Sequence, residues 1–226
     1  MILITGASGN HAKSLVRLLE SVKRYEPDMK VRVYDLGLGE YRAAVEAVGY
    51  EISMFPYDKY PDFVDITKNA GHYAWKPLII AEACETEDDD VFWLDGGCLL
   101  SGSLDRIRET IHKNGIYSPI SQGCLKDWTY PTVLDNLHVT ARVRRMPNRS
   151  GGVVGVAKNS LEGRRIVTTW RRLCSDKRFI CPDGSSRRNH RQDQSVLSIL
   201  MAQSADRGYS KSDDGLFSVM IHQDCD

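Results

Sequence analysis

Residues 91–98 read Val91-Phe92-Trp93-Leu94-Asp95-Gly96-Gly97-Cys98, and this stretch is the most informative one in the chain. Its four leading apolar residues predict a short strand that is buried on both faces, as strands of a parallel sheet are. A lone carboxylate and two glycines follow at the point where this strand must end. Ligands of open α/β sheets bind beyond the carboxyl ends of the strands, and glycine lets them approach the backbone closely. Asp95 is therefore the first candidate for a residue that binds a metal ion or a sugar hydroxyl.

The bulk composition argues against several classes of partner. The chain has 226 residues, which suits one α/β domain, and its 30 basic and 30 acidic side chains cancel. Because no net field results, nucleic acid is not an expected partner. No apolar run is long enough to cross a bilayer, and the first residues do not resemble a signal peptide. The compartment stays open, with the cytoplasm favoured if the chain is complete.

Strand and helix signals alternate along the first half of the chain. Apolar residues recur at helical spacing over residues 12–22, which predicts an amphipathic helix. Similar signals predict a helix over residues 40–48, a helix that begins near Trp75, and strands over residues 2–5, 31–34, 50–54 and 91–94. Such alternation is typical of βαβ units and a largely parallel sheet. The less regular second half predicts strands over residues 153–157 and 217–221 and helices over residues 161–173 and 192–201.

The turn after the first predicted strand, Thr5-Gly6-Ala7-Ser8-Gly9, admits a second interpretation. Glycines at this place let a dinucleotide pyrophosphate lie against a helix N-terminus, as in short-chain dehydrogenases. However, Ala12 stands where the close-packing glycine of that pattern is expected, and no tyrosine is followed four residues later by lysine. A NAD(P)-dependent dehydrogenase is therefore the weaker alternative, and a tight strand-to-helix turn explains the glycines better.

Three blocks carry a resemblance that fits the chain better. They are Val33-Tyr34-Asp35-Leu36-Gly37-Leu38, then Tyr73-Ala74-Trp75-Lys76-Pro77-Leu78, then Trp93-Leu94-Asp95. In this order they resemble nucleotide-sugar glycosyltransferases of the GT-A fold, above all the glycogenin-like and lipopolysaccharide galactosyltransferase-like enzymes. The resemblance implies an α/β fold of GT-A type, with a Rossmann-like, mixed, mostly parallel central sheet flanked by helices. It also implies one domain over residues 1–226, in which about residues 1–100 bind the nucleotide sugar and about residues 101–226 face the acceptor.

Such enzymes move a sugar from a nucleotide diphosphate sugar, often a UDP-sugar, to a hydroxyl of a glycan, lipid or protein acceptor. The resemblance places Thr5, Gly6 and Asp35 near the base and ribose of the donor. Lys76 has a reason of its own, because an ammonium near a helix start can meet the diphosphate together with the helix N–H groups. The alternative for Lys76 is a solvated surface lysine.

The metal site that the resemblance implies departs from the family pattern. The related enzymes continue the strand as Asp-x-Asp, whose carboxylates hold a divalent cation against the charge that develops on the leaving diphosphate. Asp95 matches the first aspartate, and the resemblance makes His222 a further ligand of Mn²⁺ or Mg²⁺. Gly97 stands in place of the second aspartate, and this departure leaves metal binding open.

Two further motifs resemble the sugar side of the family's site. Ser150-Gly151-Gly152-Val153 resembles a turn whose glycines let a sugar lie against the backbone, and an ordinary turn at a strand entry is the alternative. By the same resemblance, Asp193 binds sugar hydroxyls and Gln194 lies under the anomeric carbon. An acid in the first turn of a helix also complements the helix dipole, so a plain capping role for Asp193 stays open.

Two arginine-rich loops lie outside the family pattern. The first contains Arg142, Arg144, Arg145 and Arg149, and the second contains Arg187, Arg188 and Arg191. A solvated face is the ordinary explanation of such a cluster. The other is neutralisation of a diphosphate or an acidic glycan acceptor, because guanidinium groups match the oxygens of phosphates and carboxylates. The rival to a transferase is a non-catalytic GT-A-like module that binds a glycan or a partner, which the missing second aspartate favours.

Overall fold

The computed structural model describes residues 1–208 and 215–225. The strands of this part of the chain are β1 (Ile2–Ala7), β2 (Lys30–Asp35), β3 (Glu51–Met54), β4 (Val91–Leu94), β5 (Leu99–Leu100), β6 (Ile116–Tyr117), β7 (Ile120–Cys124), β8 (Pro147–Arg149), β9 (Val153–Val156) and β10 (Val219–Met220). The α-helices are α1 (Ala12–Tyr25), α2 (Arg42–Glu46), α3 (Trp75–Thr86), α4 (Asp105–Asn114), α5 (Leu125–Trp128), α6 (Pro131–Asn136), α7 (Leu161–Cys174), α8 (Lys177–Ile180) and α9 (Asp193–Asp206). Short turns join them, including Gly39–Tyr41 and Asn69–Tyr73.

A six-stranded sheet in the order β3-β2-β1-β4-β9-β6 forms the centre of the fold. β1 pairs in parallel with both β2 and β4, and β2 pairs in parallel with β3. β9 runs antiparallel to β4 and β6, so the sheet is mixed but mostly parallel. The alternating strand and helix signals of the first half predict this parallel arrangement correctly. Two smaller antiparallel pairs, β5 with β10 and β7 with β8, lie outside the central sheet.

Side chains alternate across the central strands and so enter two separate hydrophobic cores. Trp93 belongs to the core that includes residues of α3, α7 and α9, and Phe92 belongs to the core that includes residues of α1 and α4. Helices therefore cover both faces of the sheet. No residue of Val91–Leu94 is more than 1% exposed, which is what the continuous apolar run predicts.

Helices α3 and α9 carry the buried polar residues of the site. Each is apolar on nearly all sides, because both pack against α7 within the core. Lys76 lies in the first turn of α3, and Asp193 is the first residue of α9. The same packing that makes these helices apolar therefore removes Lys76 and Asp193 from water. Within the described residues, no helix is both long enough and apolar enough to cross a membrane.

Several predicted elements differ in their bounds from those observed. The helix expected over residues 40–48 is the short turn Gly39–Tyr41 followed by α2. The strand expected over residues 217–221 is limited to β10, because Phe217 has a φ of 49°, which no extended strand adopts. The last helix begins at Asp193 and not at Gln192, whose φ of 52° lies outside the helical region.

Candidate functional site

Lys76 is the centre of a buried polar cluster. Its side chain is 4% exposed, and its Nζ lies 3.0 Å from Asp95 Oδ1 and 3.4 Å from Asp193 Oδ2. Burial alone would lower the pKa of Lys76, but the carboxylates of Asp193 and Asp95 outweigh burial and raise this pKa. Lys76 is therefore a charged ammonium shared between two carboxylates and not a solvated surface lysine.

Asp95 connects this cluster to solvent. It follows β4 directly, and its backbone N–H donates to Gly152 O over 2.9 Å, which fixes the turn after the strand. The indole Nε1 of Trp93 donates to Asp95 Oδ1 over 2.7 Å. The Asp95 side chain is nevertheless 39% exposed. A ligand at the carboxyl end of β4 can therefore reach a carboxylate whose orientation Lys76 and Trp93 already fix.

Asp193 is the buried acid of the cluster, with a side chain that is 5% exposed. Burial raises the pKa of Asp193 to about 6, against the pull of Lys76 and with the help of the Asp95 charge. Its Oδ2 forms the long ion pair with Lys76 at 3.4 Å and, among the described residues, has no hydrogen-bond donor in good geometry. A titratable group whose pKa is shifted by burial and by a specific charge partner is a candidate functional residue.

Glycines make room for these carboxylates. A Cβ atom on Gly152 would lie 2.8 Å from Asp95 Oδ2, and a Cβ atom on Gly151 would lie 3.1 Å from Asp193 Oδ2. The Gly151 position also faces Gln194, at 3.2 Å from its Cβ. The structure thus brings the two glycines together with Asp95, Asp193 and Gln194, residues that are distant in the sequence.

The residues expected near the nucleoside end lie at the ends of β1 and β2. Thr5 is fully buried, and its Oγ1 has no hydrogen-bond partner. A Cβ atom on Gly6 would lie 2.8 Å from Tyr34 O, so close strand packing explains this glycine without any ligand. Asp35 accepts two backbone N–H groups of the next loop, at 2.8 and 2.7 Å, and the guanidinium of Arg42 at 2.9 Å. Asp35 therefore has a clear structural role in holding this loop.

A carboxylate from the far end of the described chain fills the space beside Gly97. A Cβ atom on Gly97 would lie 2.8 Å from Asp224 Cγ, and the backbone N–H of Gln223 donates to Gly97 O over 2.8 Å. The Nδ1 of His11 lies 3.1 Å from Asp224 Oδ1 and helps to hold this carboxylate. Residue 97 is a glycine and not an acid, but the carboxylate of Asp224 occupies the space that a side chain at position 97 would fill. His222, in the same segment, is exposed.

Hard oxygen donors are available for a divalent cation at this edge. Among residues 1–208 and 215–225, no group of three His, Cys, Asp or Glu side chains is close enough to hold a metal ion by itself. Mg²⁺ is often held by only one or two carboxylates together with substrate phosphates and water, and carboxylates also suit Mn²⁺. Asp95 and Asp224 are donors of this kind, so the residues present fit a cation that binds together with a diphosphate.

The two arginine-rich loops differ in their surroundings. In the first, Arg142 pairs with Asp206 at 3.1 Å and Arg144 pairs with Asp135 at 2.6 Å, which is typical of a solvated face. In the second, the guanidinium carbons of Arg187 and Arg191 lie 5.4 Å and 4.0 Å from the ring centres of Tyr73 and Trp128. Tyr73 also lies 5.4 Å from Lys76 Nζ, so the second loop borders the candidate site.

Sequence reasoning missed two members of the site. Trp93 and Asp95 are two residues apart, and this spacing puts side chains on one face of a strand, so the indole contact had a sequence signal. Asp224 had no sequence signal, because no local pattern relates Asp224 to Gly97 when more than 120 residues of sequence separate them.

Comparison with known proteins shows a likeness in fold. A family described as a protein of unknown function (DUF1647) matches residues 1–81, and no curated protein matches the chain. The galactosyltransferase LgtC, crystallised with donor and acceptor sugar analogs, is 22% identical; the match covers 88% of this chain and 70% of LgtC, with a TM-score of 0.55. Mouse xyloside xylosyltransferase 1 in its apo form is 11% identical, with 91% of this chain and 82% of that chain covered and a TM-score of 0.56.

These identities are too low to carry an activity from one protein to another, and they establish the fold alone. The sheet order, the single antiparallel central strand and the flanking helices agree with this likeness. The chain has the GT-A fold of these glycosyltransferases, as its three sequence blocks predict.

Proposed function

We propose that this protein is a glycosyltransferase, which moves a sugar from a nucleotide diphosphate sugar, with UDP as the first nucleotide to test, to a hydroxyl of a glycan, lipid or protein. The observation that carries the proposal is the cluster of Lys76, Asp95 and Asp193 beyond the carboxyl end of β4. Open α/β sheets bind their ligands at this edge. Among the described residues, Asp193 Oδ2 has the Lys76 ammonium at 3.4 Å but no hydrogen-bond donor in good geometry, and a sugar hydroxyl would supply one.

The roles of the residues follow from their places in the cluster. Asp193 accepts a hydrogen bond from a hydroxyl of the transferred sugar, and Gln194 presents its amide to the reacting carbon. Gly151 and Gly152 let the backbone pass close to Asp193 and Asp95, whose carboxylates a side chain at either position would displace. Thr5, Gly6 and Asp35, at the ends of β1 and β2, lie on the side proposed for the base and ribose.

The leaving group sets the electrostatic requirement. When the bond between the anomeric carbon and the diphosphate breaks, the electron pair remains on the diphosphate, and a nearby positive charge stabilises it. Lys76 offsets part of the negative charge of Asp95 and Asp193, and so lessens their repulsion of the diphosphate. Asp95 and Asp224, with His222 as the ligand suggested by resemblance, would hold Mn²⁺ or Mg²⁺, which supplies further positive charge to the diphosphate oxygens.

Donor binding is the first test of the proposal. A thermal-shift screen of UDP and of sugar nucleotides, with and without Mn²⁺, should show at least one ligand that raises the melting temperature. The shift should fall or vanish in Asp95→Asn, because this variant removes the exposed carboxylate of the cluster. Asp88→Asn is the matched control, since Asp88 is a fully exposed acid just before the same strand.

The controls decide how the screen is interpreted. The Asp88 variant should keep the full shift. An unchanged shift in Asp95→Asn, or no shift with any sugar nucleotide in the wild type, would remove the basis for a donor site at β4.

The second candidate function is a GT-A-like module that binds a glycan or a partner without turnover. The glycine at position 97 favours a binding module, because β4 itself lacks the second metal-binding acid and Asp224, from a distant part of the chain, lies there instead. The two functions differ in chemistry, since only a transferase releases the nucleoside diphosphate from a sugar nucleotide.

A further inference from the structure

A cavity of about 620 Å³ adjoins the candidate site and has no part in the roles proposed so far. Residues 181–187 and part of the turn Asn69–Tyr73 contribute to its lining. Gln192 also lines it, and this residue comes immediately before Asp193. The volume lies in the usual range for sites that bind small ligands. The cavity can therefore accept a molecule, or part of one, next to the cluster of Lys76, Asp95 and Asp193.

Positive charge in this cavity lacks a carboxylate partner. Among the described residues, no carboxylate lies within 4.0 Å of the side-chain nitrogens of Lys177 or Arg187. Other cations of the chain do have carboxylate partners within this distance. Instead, Lys177 Nζ lies 5.7 Å from the ring centre of Phe63, and Arg187 Cζ lies 5.4 Å from that of Tyr73. The neighbouring Arg178, outside the cavity lining, is fully paired with Asp176. The cationic groups of the cavity thus remain available to an anion.

The remaining polar lining does not cancel this charge. Among the described lining residues, Asp183 carries one negative charge, whereas Lys177 and Arg187 carry two positive charges. Burial and the nearby Lys177 lower the pKa of His72, so the imidazole is neutral near pH 7, and its Nδ1 accepts a hydrogen bond from Gln192 Nε2 over 3.1 Å. The balance of charge in the cavity is therefore positive, while the chain as a whole is neutral.

Part of the cavity lining, next to the cluster in sequence, consists of backbone in an unusual conformation. Ala70, His72 and Gln192 all have positive φ, at 55°, 49° and 52°. Non-glycine residues adopt such angles rarely and tend to do so at ligand sites. The ring centre of Tyr73, the next residue after His72, lies 5.4 Å from Arg187 Cζ and 5.4 Å from Lys76 Nζ. One aromatic ring is thus near a cation of the cavity and a cation of the cluster.

We infer that the cavity binds a negatively charged group, a carboxylate or a sulfate, on the sugar chain that accepts the transferred sugar. The planar guanidinium of Arg187 and the ammonium of Lys177 match the oxygens of such a group. The identification of this ligand as an acceptor rests on the proposed transferase function. The binding of an acidic saccharide requires no turnover, so it can be tested separately.

Calorimetric titration of the full chain with three tetrasaccharides tests the inference. A heparin tetrasaccharide carries sulfates and carboxylates, a hyaluronan tetrasaccharide carries carboxylates alone, and maltotetraose is neutral. We expect at least one acidic tetrasaccharide to bind and maltotetraose to give no heat of binding. In Lys177→Gln/Arg187→Gln the affinity should fall at least about tenfold, which corresponds to about 1.4 kcal/mol. Comparison of the two acidic ligands shows whether sulfate or carboxylate is recognised.

The matched control is Arg178→Gln/Arg188→Gln. It removes two cations from the same two segments without touching the cavity lining. An equal loss of affinity in this control would overturn the inference, because it would indicate general attraction to a basic surface. Displacement of the tetrasaccharide by saturating UDP would overturn it as well, because the ligand would then occupy the donor site. If the expected binding pattern holds but no sugar nucleotide is turned over, the anion site stands and the transferase proposal fails.

Discussion

Lys76 carries a charge in a place from which water is largely excluded, since its side chain is 4% exposed. A buried charge is tolerated only when opposite charges or hydrogen bonds compensate for its lost hydration. Asp95 and Asp193 provide this compensation, and Lys76 provides it for Asp193 in return. The three side chains are therefore expected to respond to mutation as one unit.

Lys76→Met should reveal this dependence in the free energy of unfolding. The variant leaves Asp193 buried without its cation, and we expect a loss of about 3 kcal/mol, as for other broken buried ion pairs. The double variant Lys76→Met/Asp193→Asn should lose less than the sum of its two single variants. Urea denaturation provides the measurement, and Lys68→Met, at an exposed pair with Asp62, is a control that should change stability by less than about 1 kcal/mol. A Lys76 variant as stable as the control would contradict the account of the cluster.

Asp193 should make stability depend on pH in a defined direction. Its pKa of about 6 lies above its ordinary value of 3.8, so between these values the folded chain keeps a proton that the unfolded chain has released. The contribution of Asp193 to stability is therefore full at low pH and is lost as pH rises through this window. Relative to Asp193→Asn, the wild type should lose about 2 kcal/mol between about pH 4.5 and pH 7. Urea denaturation of both proteins at the two pH values measures this loss, and a difference that does not vary with pH would disprove the raised pKa.

Single residues also show what the sequence could and could not predict about the site. Asp95 follows a run of four apolar residues, so its position at a strand end was readable from local pattern. The pairing of Lys76 with Asp193 was not, because it depends on how α3 and α9 pack, which no local pattern determines. The sequence also suggested a solvated lysine as an alternative, which the burial of Lys76 excludes.

Among the elements, β9 is the strand of the central sheet that runs antiparallel to its neighbours. Its residue Gly155 lets helix α4 approach the sheet closely. Gly155 pairs with Phe92 in β4 and Tyr117 in β6. A Cβ atom at Gly155 would lie 2.5 Å from Ile111 Cγ1, so α4 packs directly against the backbone of β9.

Gly155→Ala should therefore destabilise the fold by overpacking. We expect a loss of about 1–3 kcal/mol in the free energy of unfolding, since both residues are buried and have little room to move. Shortening the opposing side chain in Gly155→Ala/Ile111→Val should recover part of this loss, although Ile111→Val alone costs about 1 kcal/mol. Guanidinium denaturation of the three variants measures the effect. Strictly additive losses would show that the two side chains do not meet.

Elements with a strong local signal were the ones predicted well. β4 and the start of α3 agree with the sequence pattern, because a continuous apolar run and a well-placed proline act locally. The last strand was predicted too long, since the positive φ of Phe217 has no marker in the sequence. The antiparallel direction of β9 was not predicted either, because strand direction depends on the path of the whole second half.

At the scale of the whole molecule, the fold brings residues from the two ends of the described chain to one edge of the sheet. His11 and Gly97 both contact the segment that contains Asp224. This closure places an acid where the local sequence has none. The order of the three sequence blocks was enough to predict the GT-A fold, but this long-range replacement required the three-dimensional structure.

The replacement predicts a metal-binding defect from a mutation far from β4 in sequence. Mn²⁺ should bind in the presence of UDP and lose affinity about tenfold or more in Asp224→Asn, because one hard oxygen ligand is lost. Electron paramagnetic resonance of free Mn²⁺ measures binding without any need for turnover. The variant Gly97→Asp/Asp224→Gly, which returns the acid to position 97, should recover affinity. Equal Mn²⁺ affinity in the wild type and in Asp224→Asn would show that this carboxylate is not a ligand.

The most direct test of the proposed function is the release of nucleoside diphosphate from sugar nucleotides. Water can take the place of the acceptor hydroxyl and release the same nucleoside diphosphate, so the acceptor need not be known. Incubation of the full chain with a panel of UDP-sugars and Mn²⁺ should release UDP from at least one of them. Asp193→Asn should reduce this rate about a hundredfold or more, while Asp88→Asn should leave it unchanged. Binding of a UDP-sugar without any release of UDP, or release that persists unchanged in Asp193→Asn, would contradict a transferase centred on Lys76, Asp95 and Asp193.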